Sequence, residues 1–278
     1  MDALVSTEWL AAEMGAADLR VIDASWFLPD QKRDAAAEYE AAHIPGAVFL
    51  DIDVVAESDT SLPHMLPTGQ AFAEAMGRMG IADTDRIVVY DASPLHSAAR
   101  GWWMLHVMGA RQVAILNGGF ARWQAEGRPT ESGAVRLPPA RFRVLGDATR
   151  VVDLAELKRA VAHHDQIVDA RSPARFAGEE PEPRPGVVPG HIPHSINLHY
   201  ARLFDEDGRW KDRSALAQEF DAADVELDQP IVATCGSGVT AATVVFALHL
   251  LGHDATLYDG SWAEWGSDPT TPKATGRE

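Results

Sequence analysis

Ile231-Val-Ala-Thr-Cys235-Gly-Ser-Gly-Val-Thr240 runs directly into Ala241-Ala-Thr-Val-Val-Phe-Ala-Leu-His-Leu-Leu251. The opening residues read as a short buried strand, the glycines as a tight turn, and the last stretch as a buried helix. A strand feeding a helix through such a turn is part of a βα unit and points to an α/β fold. It also sets a thiol at the carboxyl end of a strand, before a helix N-terminus and a loop rich in main-chain N–H groups. Such a place stabilises anions, a thiolate included. An ordinary cysteine is only a few per cent ionised near neutrality. About 2.7 kcal/mol of selective stabilisation makes the thiolate the major form, within reach of a few aligned amides and a helix end. The alternative for a lone cysteine is a small packed hydrophobe without chemistry.

The chain is written twice. Val21-Ile-Asp23-Ala-Ser25 returns as Ile167-Val-Asp169-Ala-Arg171, and His43-Ile-Pro-Gly-Ala47 as His191-Ile-Pro-His-Ser195. Ile87-Val-Val-Tyr-Asp91 returns as Ile231-Val-Ala-Thr-Cys235, and the stretch ending at Trp123 as the one ending at Trp265. The order is kept and only loop lengths differ. Helical patterns over 70–79, 98–108, 154–163 and 240–251 alternate with the β-branched runs. Each half therefore reads as a mainly parallel sheet with helices on both faces. The first domain is expected over 1–130, the second over 147–278, with a proline-bearing linker at about 131–146 and a fraying tail after Trp265. Asp91 stands where the second half has Cys235, so one site per chain is expected, on the C-terminal half, beyond the carboxyl ends of the strands.

The 278 residues carry 41 acidic against 24 basic side chains, a net charge of −17. That balance attracts neither nucleic acid nor anionic membranes. It also favours a monomer. One cysteine excludes an intramolecular disulfide and a multi-cysteine metal site, and no cofactor is expected. No apolar run approaches the roughly 20 residues of a membrane span, and Met1-Asp-Ala-Leu-Val-Ser-Thr-Glu8 lacks a basic, apolar leader. The expected location is cytoplasmic, where a lone reactive thiol stays reduced.

With these motifs in place the chain resembles the two-domain rhodanese-like sulfurtransferases, and within them the 3-mercaptopyruvate sulfurtransferases. The resemblance runs from Val21 to Trp265. Its most specific part is Cys235-Gly-Ser-Gly-Val-Thr240, supported by Asp169-Ala-Arg-Ser-Pro-Ala-Arg175, Glu180-Pro-Glu-Pro-Arg184, Gly190-His-Ile-Pro193 and His64-Met-Leu-Pro67. It implies a Cys235 persulfide formed from 3-mercaptopyruvate, with release of pyruvate and transfer to a thiol acceptor, such as thioredoxin or a low-molecular-weight thiol, or to cyanide. Gly236, Gly238, Val239 and Thr240 would cradle the substrate and sulfur, and Arg175 and Arg184 would hold the carboxylate. Either arginine could instead sit in a surface ion pair with Glu179, Glu180 or Glu182. Ser237, His64 and Asp53 match a proposed relay, with His64 reaching Ser237 from the first domain across a cleft.

Three rivals are weighed against this. Thiosulfate sulfurtransferases place basic residues directly after the cysteine, whereas Gly236 and Ser237 are neutral; counter-charges for a carboxylate should sit further out. A cysteine phosphatase needs an arginine about six residues past the nucleophile, where Ala241 stands. A non-catalytic rhodanese-like binding module has no need of Ser237, Arg175 and Arg184 together with the thiol. His43 and His191 are expected to close the same turn in both halves, and the paired tryptophans to be core.

Overall fold

The computed structural model describes residues 1–146 and 150–277. Among the described residues, ten strands form two sheets. In the first, β1 (Leu4–Val5), β2 (Leu19–Asp23), β3 (Val48–Phe49), β4 (Arg86–Tyr90) and β5 (Gln112–Leu116) lie in the order β1-β5-β4-β2-β3. In the second, β6 (Val151–Val152), β7 (Gln166–Asp169), β8 (Ile196–Asn197), β9 (Ile231–Thr234) and β10 (Thr256–Tyr258) lie in the order β6-β10-β9-β7-β8. Every pairing is parallel, and the two orders are the same when the second set is numbered from its own start. The internal repeat is thus a repeat of topology. β9 is buried at all four positions and β4 at four of its five, as a sheet covered on both faces requires.

Helices fall at Gly69–Arg78, Ala98–Val107, Leu154–His163 and Ala241–Leu251, within two residues of the expected ends. Several start where the sequence supplies a side-chain acceptor for an orphan N–H. Ser6, Asp34, Thr68, Ser172 and Asp212 each accept from the amide three residues on. Asp153 and Glu156 close a full capping box. The helices Ala98–Val107 and Ala241–Leu251, which follow the Asp91 and Cys235 loops, start without a side-chain cap from their N-cap residue.

By contacts the chain divides into two compact units, one of 1–57, 66–146 and 206–210, the other of 58–65, 150–205 and 211–277. The expected second-domain limits, 147 and 278, lie outside the described residues. The stretch 131–146 is laid along the first unit: Glu131 bridges His43, the Ala140 N–H donates to the Gly77 carbonyl, and Phe142 meets Phe72 edge-on. The tail does not fray as expected. Thr271 is buried and its hydroxyl donates to the Trp265 carbonyl, the Trp265 indole donates to the Pro272 carbonyl, and Ala274 pairs with His191. Polar composition misled here because a buried tail hydroxyl and tail main-chain groups complete the packing around a buried tryptophan.

The repeated histidine turns match between units. His43 Nδ1 lies 2.7 Å from the Tyr39 carbonyl and its ring stacks on Tyr39; His191 Nδ1 lies 2.8 Å from the Phe176 carbonyl and its ring stacks on Phe176. Two turns with one geometry are fold elements. The tryptophans Trp102, Trp103, Trp123, Trp262 and Trp265 are all core residues.

Candidate active site

The thiol loop hangs from β9 and is clamped from behind. The Cys235 N–H donates to Ser261 Oγ (3.3 Å), and the carbonyls of Cys235 and Gly236 accept from the N–H groups of Trp262 and Ala263, both at 2.9 Å. Gly238 turns the loop at φ 80°, a conformation a residue with Cβ rarely adopts. The main-chain N–H groups of Gly236, Ser237, Val239 and Thr240 find no protein acceptor among the described residues. Cys235 itself is 2% exposed. Ser237 and Val239 are buried and Gly236 and Thr240 half-buried; donors left without an acceptor in such a place cost stability, and several of them beside a thiol suit an anion.

The equivalent loop of the first unit is filled. Asp91 accepts from the N–H groups of Ser93 (3.0 Å) and Ala98 (2.6 Å), while the Ala92 and Leu95 N–H groups donate to the hydroxyls of Ser25 and Ser93. The Asp91 carboxylate thus occupies its own cradle. A cavity of about 430 Å³ opens over this loop, lined in part by Asp91, His96 and Trp210, but it contains no nucleophilic thiol.

Burial pushes the Asp91 carboxyl up to about 7, although the Ala98 and Ser93 amides pull it down. The folded chain therefore holds this proton more tightly than the unfolded chain, where the carboxyl keeps its ordinary value of 3.8. The resulting stabilisation is complete below about pH 4 and is lost as pH rises through about 7. Between pH 4 and pH 8 the native chain should lose on the order of 3–4 kcal/mol relative to Asp91→Asn, which cannot titrate. Denaturant unfolding of both proteins at the two pH values measures this, and a constant difference would contradict it.

Around Cys235 the second unit gathers four charged residues from β7 and the segment after it. Asp169 ends β7, opposite Thr234 of β9, so Arg171 enters the sheet layer close to the thiol. The Arg171 guanidinium is 1% exposed; Nη2 reaches Asp169 at 2.6 Å and Nη1 reaches Glu182 at 2.8 Å. It also lies over the Trp262 ring. Burial pulls Arg171 down, but Asp169, then Glu182 and Cys235, outweigh it and hold the guanidinium above its ordinary value. Arg175 sits on the helix Pro173–Ala177, and its Nη2 donates to Glu182 at 2.5 Å. Glu182 is 4% exposed, so this pair is not the surface ion pair weighed as an alternative. Glu179 instead pairs with Arg277.

Arg175 also corrects one expectation. A Cβ on Gly236 would stand 3.0 Å from Arg175 Nη2, so the guanidinium lies directly against the residue after the nucleophile. The loop is neutral by sequence, yet a cation from another helix occupies that place. Counter-charge therefore lies beside the nucleophile, at Arg175, as well as further out, at Arg184.

Ser237 is the meeting point of two other predicted residues. His64 Nδ1 lies 3.0 Å from its Oγ, and Arg184 Nη2 donates to the same oxygen at 3.5 Å. His64 is buried, with φ 60°. Its stretch, 58–65, belongs to the second unit by contacts, so the His64–Ser237 pair forms within one unit and not across a cleft. Asp53 belongs to the first unit, where both carboxylate oxygens accept from the Trp26 indole N–H.

Sequence reading missed Arg171, Glu182 and Ser261. For Arg171 a clue existed: the repeat has Ser25 at the matching position of the first half.

Two copies of one parallel α/β domain, one with a self-filled loop and one presenting a thiol to unpaired amides, define a tandem-domain protein with a single armed loop. The rhodanese-like domain model matches residues 6–126 and 153–268. The chain belongs to the rhodanese-like family. It is 42% identical over 273 residues to the 3-mercaptopyruvate sulfurtransferase of Escherichia coli (strain K12), covering 96% of each. It is 41% identical over 277 residues to the thiosulfate sulfurtransferase of Bos taurus, covering 95% of this chain and 91% of that one. The crystal structure of SseA from Escherichia coli, described with the catalytic mechanism of 3-mercaptopyruvate sulfotransferases, superposes with a TM-score of 0.87 at 40% identity, covering 94% of this chain and 99% of that one.

Proposed function

We propose that this protein is a sulfurtransferase that moves sulfur from 3-mercaptopyruvate to a thiol or cyanide through a persulfide on Cys235. The observation that carries this reading is the contrast between the two loops: amides filled by Asp91 in one unit and unpaired beside Cys235 in the other. The Cys235 thiolate attacks the donor sulfur. The carbon–sulfur bond breaks with its electron pair going to carbon, and the thiol proton of the donor ends on that carbon. Pyruvate leaves, and Cys235 holds the sulfur as a persulfide anion among the loop amides. An acceptor thiolate then bonds the outer sulfur; the sulfur–sulfur bond breaks and its pair returns to Cys235. Two displacements through one covalent intermediate give ping-pong kinetics.

Arg175 and Arg184 receive the substrate carboxylate. Each charge-assisted contact contributes about 1.5–3 kcal/mol in a desolvated site. Ser237 faces the substrate carbonyl, and His64 moves the proton through Ser237. Asp53 is assigned to this relay on the family motif. The protein acts as a cytoplasmic monomer, consistent with a single cysteine kept reduced and a large negative charge.

Identity leaves the donor open, since relatives named for each donor stand at almost the same level. Arg184, touching Ser237 rather than the thiol loop's first residue, favours the longer oxo-acid over compact thiosulfate. The rate ratio at low donor concentration tests this. The expected result is faster turnover of 3-mercaptopyruvate, by about tenfold or more; faster turnover of thiosulfate would reassign the substrate.

A further inference from the structure

Glu182 was weighed as a surface partner, but it is the residue on which Arg175 depends. One carboxylate oxygen takes Arg171 Nη1 at 2.8 Å and the other takes Arg175 Nη2 at 2.5 Å. Arg171 is in turn fixed by Asp169 and by the Gly190 carbonyl at 2.8 Å. Glu182 thus ties the 20% exposed side chain of Arg175 to that of Arg171, which is 1% exposed and donates to Asp169, Glu182 and the Gly190 carbonyl. A second contact that locates Arg175 is its packing on Gly236. Its Nε is buried and has no hydrogen-bond partner among the described residues, a donor left over for a ligand acceptor.

We infer that Glu182 is a positioning residue that holds Arg175 over Gly236 so that the guanidinium meets the substrate carboxylate already oriented. This rests on the reading of Arg175 given above. Glu182 is 4% exposed and takes Arg175 through Nη2, which leaves the buried, unpartnered Nε for the substrate carboxylate. Preorganisation is the gain: an arginine already fixed loses less freedom when the carboxylate arrives. Without the tether, Arg175 retains its charge but must be ordered at each binding event.

Glu182→Gln keeps the shape and removes the charge. The measured quantities are KM and kcat for 3-mercaptopyruvate, and the rate at which cyanide strips sulfur from the preloaded enzyme, a step with no carboxylate to bind. Wild-type turnover of 3-mercaptopyruvate is the control: its absence defeats the functional reading itself. Given that turnover, KM should rise about tenfold while kcat and the cyanide step stay within about threefold. Glu182→Asp, charged but shorter, should fall between the native chain and Glu182→Gln. A folded Gln variant with unchanged KM overturns the inference, as does an equal slowing of both half-reactions, the mark of a residue that only supports the fold. If the Gln variant does not fold, NMR of the substrate-free native chain decides. Resolved, slowly rotating Nη protons of Arg175 support the tether, and one averaged signal overturns it.

Discussion

Cys235→Ser should abolish pyruvate release from 3-mercaptopyruvate, a fall of at least about a thousandfold. The change is one atom, in a residue already 2% exposed and surrounded by a loop whose main chain is clamped by Ser261, Trp262 and Ala263. The fold should therefore survive, with Tm within a few degrees of native as for other small volume-conserving substitutions. What disappears is chemical. A hydroxyl is not ionised at neutral pH by this number of amides, and oxygen does not accept a sulfane atom as a thiolate does. The chain has no second cysteine to take over. Residual turnover within about tenfold of native would mean that another group carries the sulfur.

Arg184→Ala should lower kcat/KM for 3-mercaptopyruvate by about 10- to 150-fold, the equivalent of one charge-assisted hydrogen bond. The same variant should change turnover of thiosulfate by less than about threefold. Arg184 reaches the Ser237 hydroxyl, whereas Arg175 lies against Gly236 beside the nucleophile. On the proposed reading, Arg184 therefore reaches a part of the longer donor that a compact one does not have. A compact dianion at the thiol meets Arg175 first; a donor with a carboxylate several bonds from its sulfur extends to Arg184. Steady-state kinetics with both donors decides, and equal losses on the two would remove the role assigned to Arg184.

The parts of this molecule that follow local rules were readable from residue order. β-branched runs such as Ile231–Thr234 became buried strands, and the helix Leu154–His163 began at its Asp153–Glu156 capping box. The repeat predicted two like domains, and the two sheets have the same strand order. The motifs named Cys235, Ser237, His64, Arg175 and Arg184, and the structure sets His64 and Arg184 on Ser237 and Arg175 against Gly236. What local pattern could not reveal was burial of charge. Glu182 is written with the same letter as Glu179, yet one is 4% exposed between two arginines and the other pairs at the surface with Arg277. Nor does composition disclose that 58–65 groups with the second unit, or that Thr271 and Pro272 complete the packing of Trp265. Each depends on which remote segment arrives, information that is absent from a window of neighbours.

On the proposed mechanism Cys235, set beside main-chain N–H groups that lack a protein acceptor among the described residues, carries sulfur as a covalent intermediate. Intact-mass spectrometry of the native chain, mixed with 3-mercaptopyruvate in the absence of any acceptor and followed by peptide mapping, tests it most directly. The expected result is one added sulfur atom per chain, located on Cys235 and removed by cyanide. An unchanged mass under conditions where pyruvate is released, or added sulfur on a peptide lacking Cys235, would contradict it.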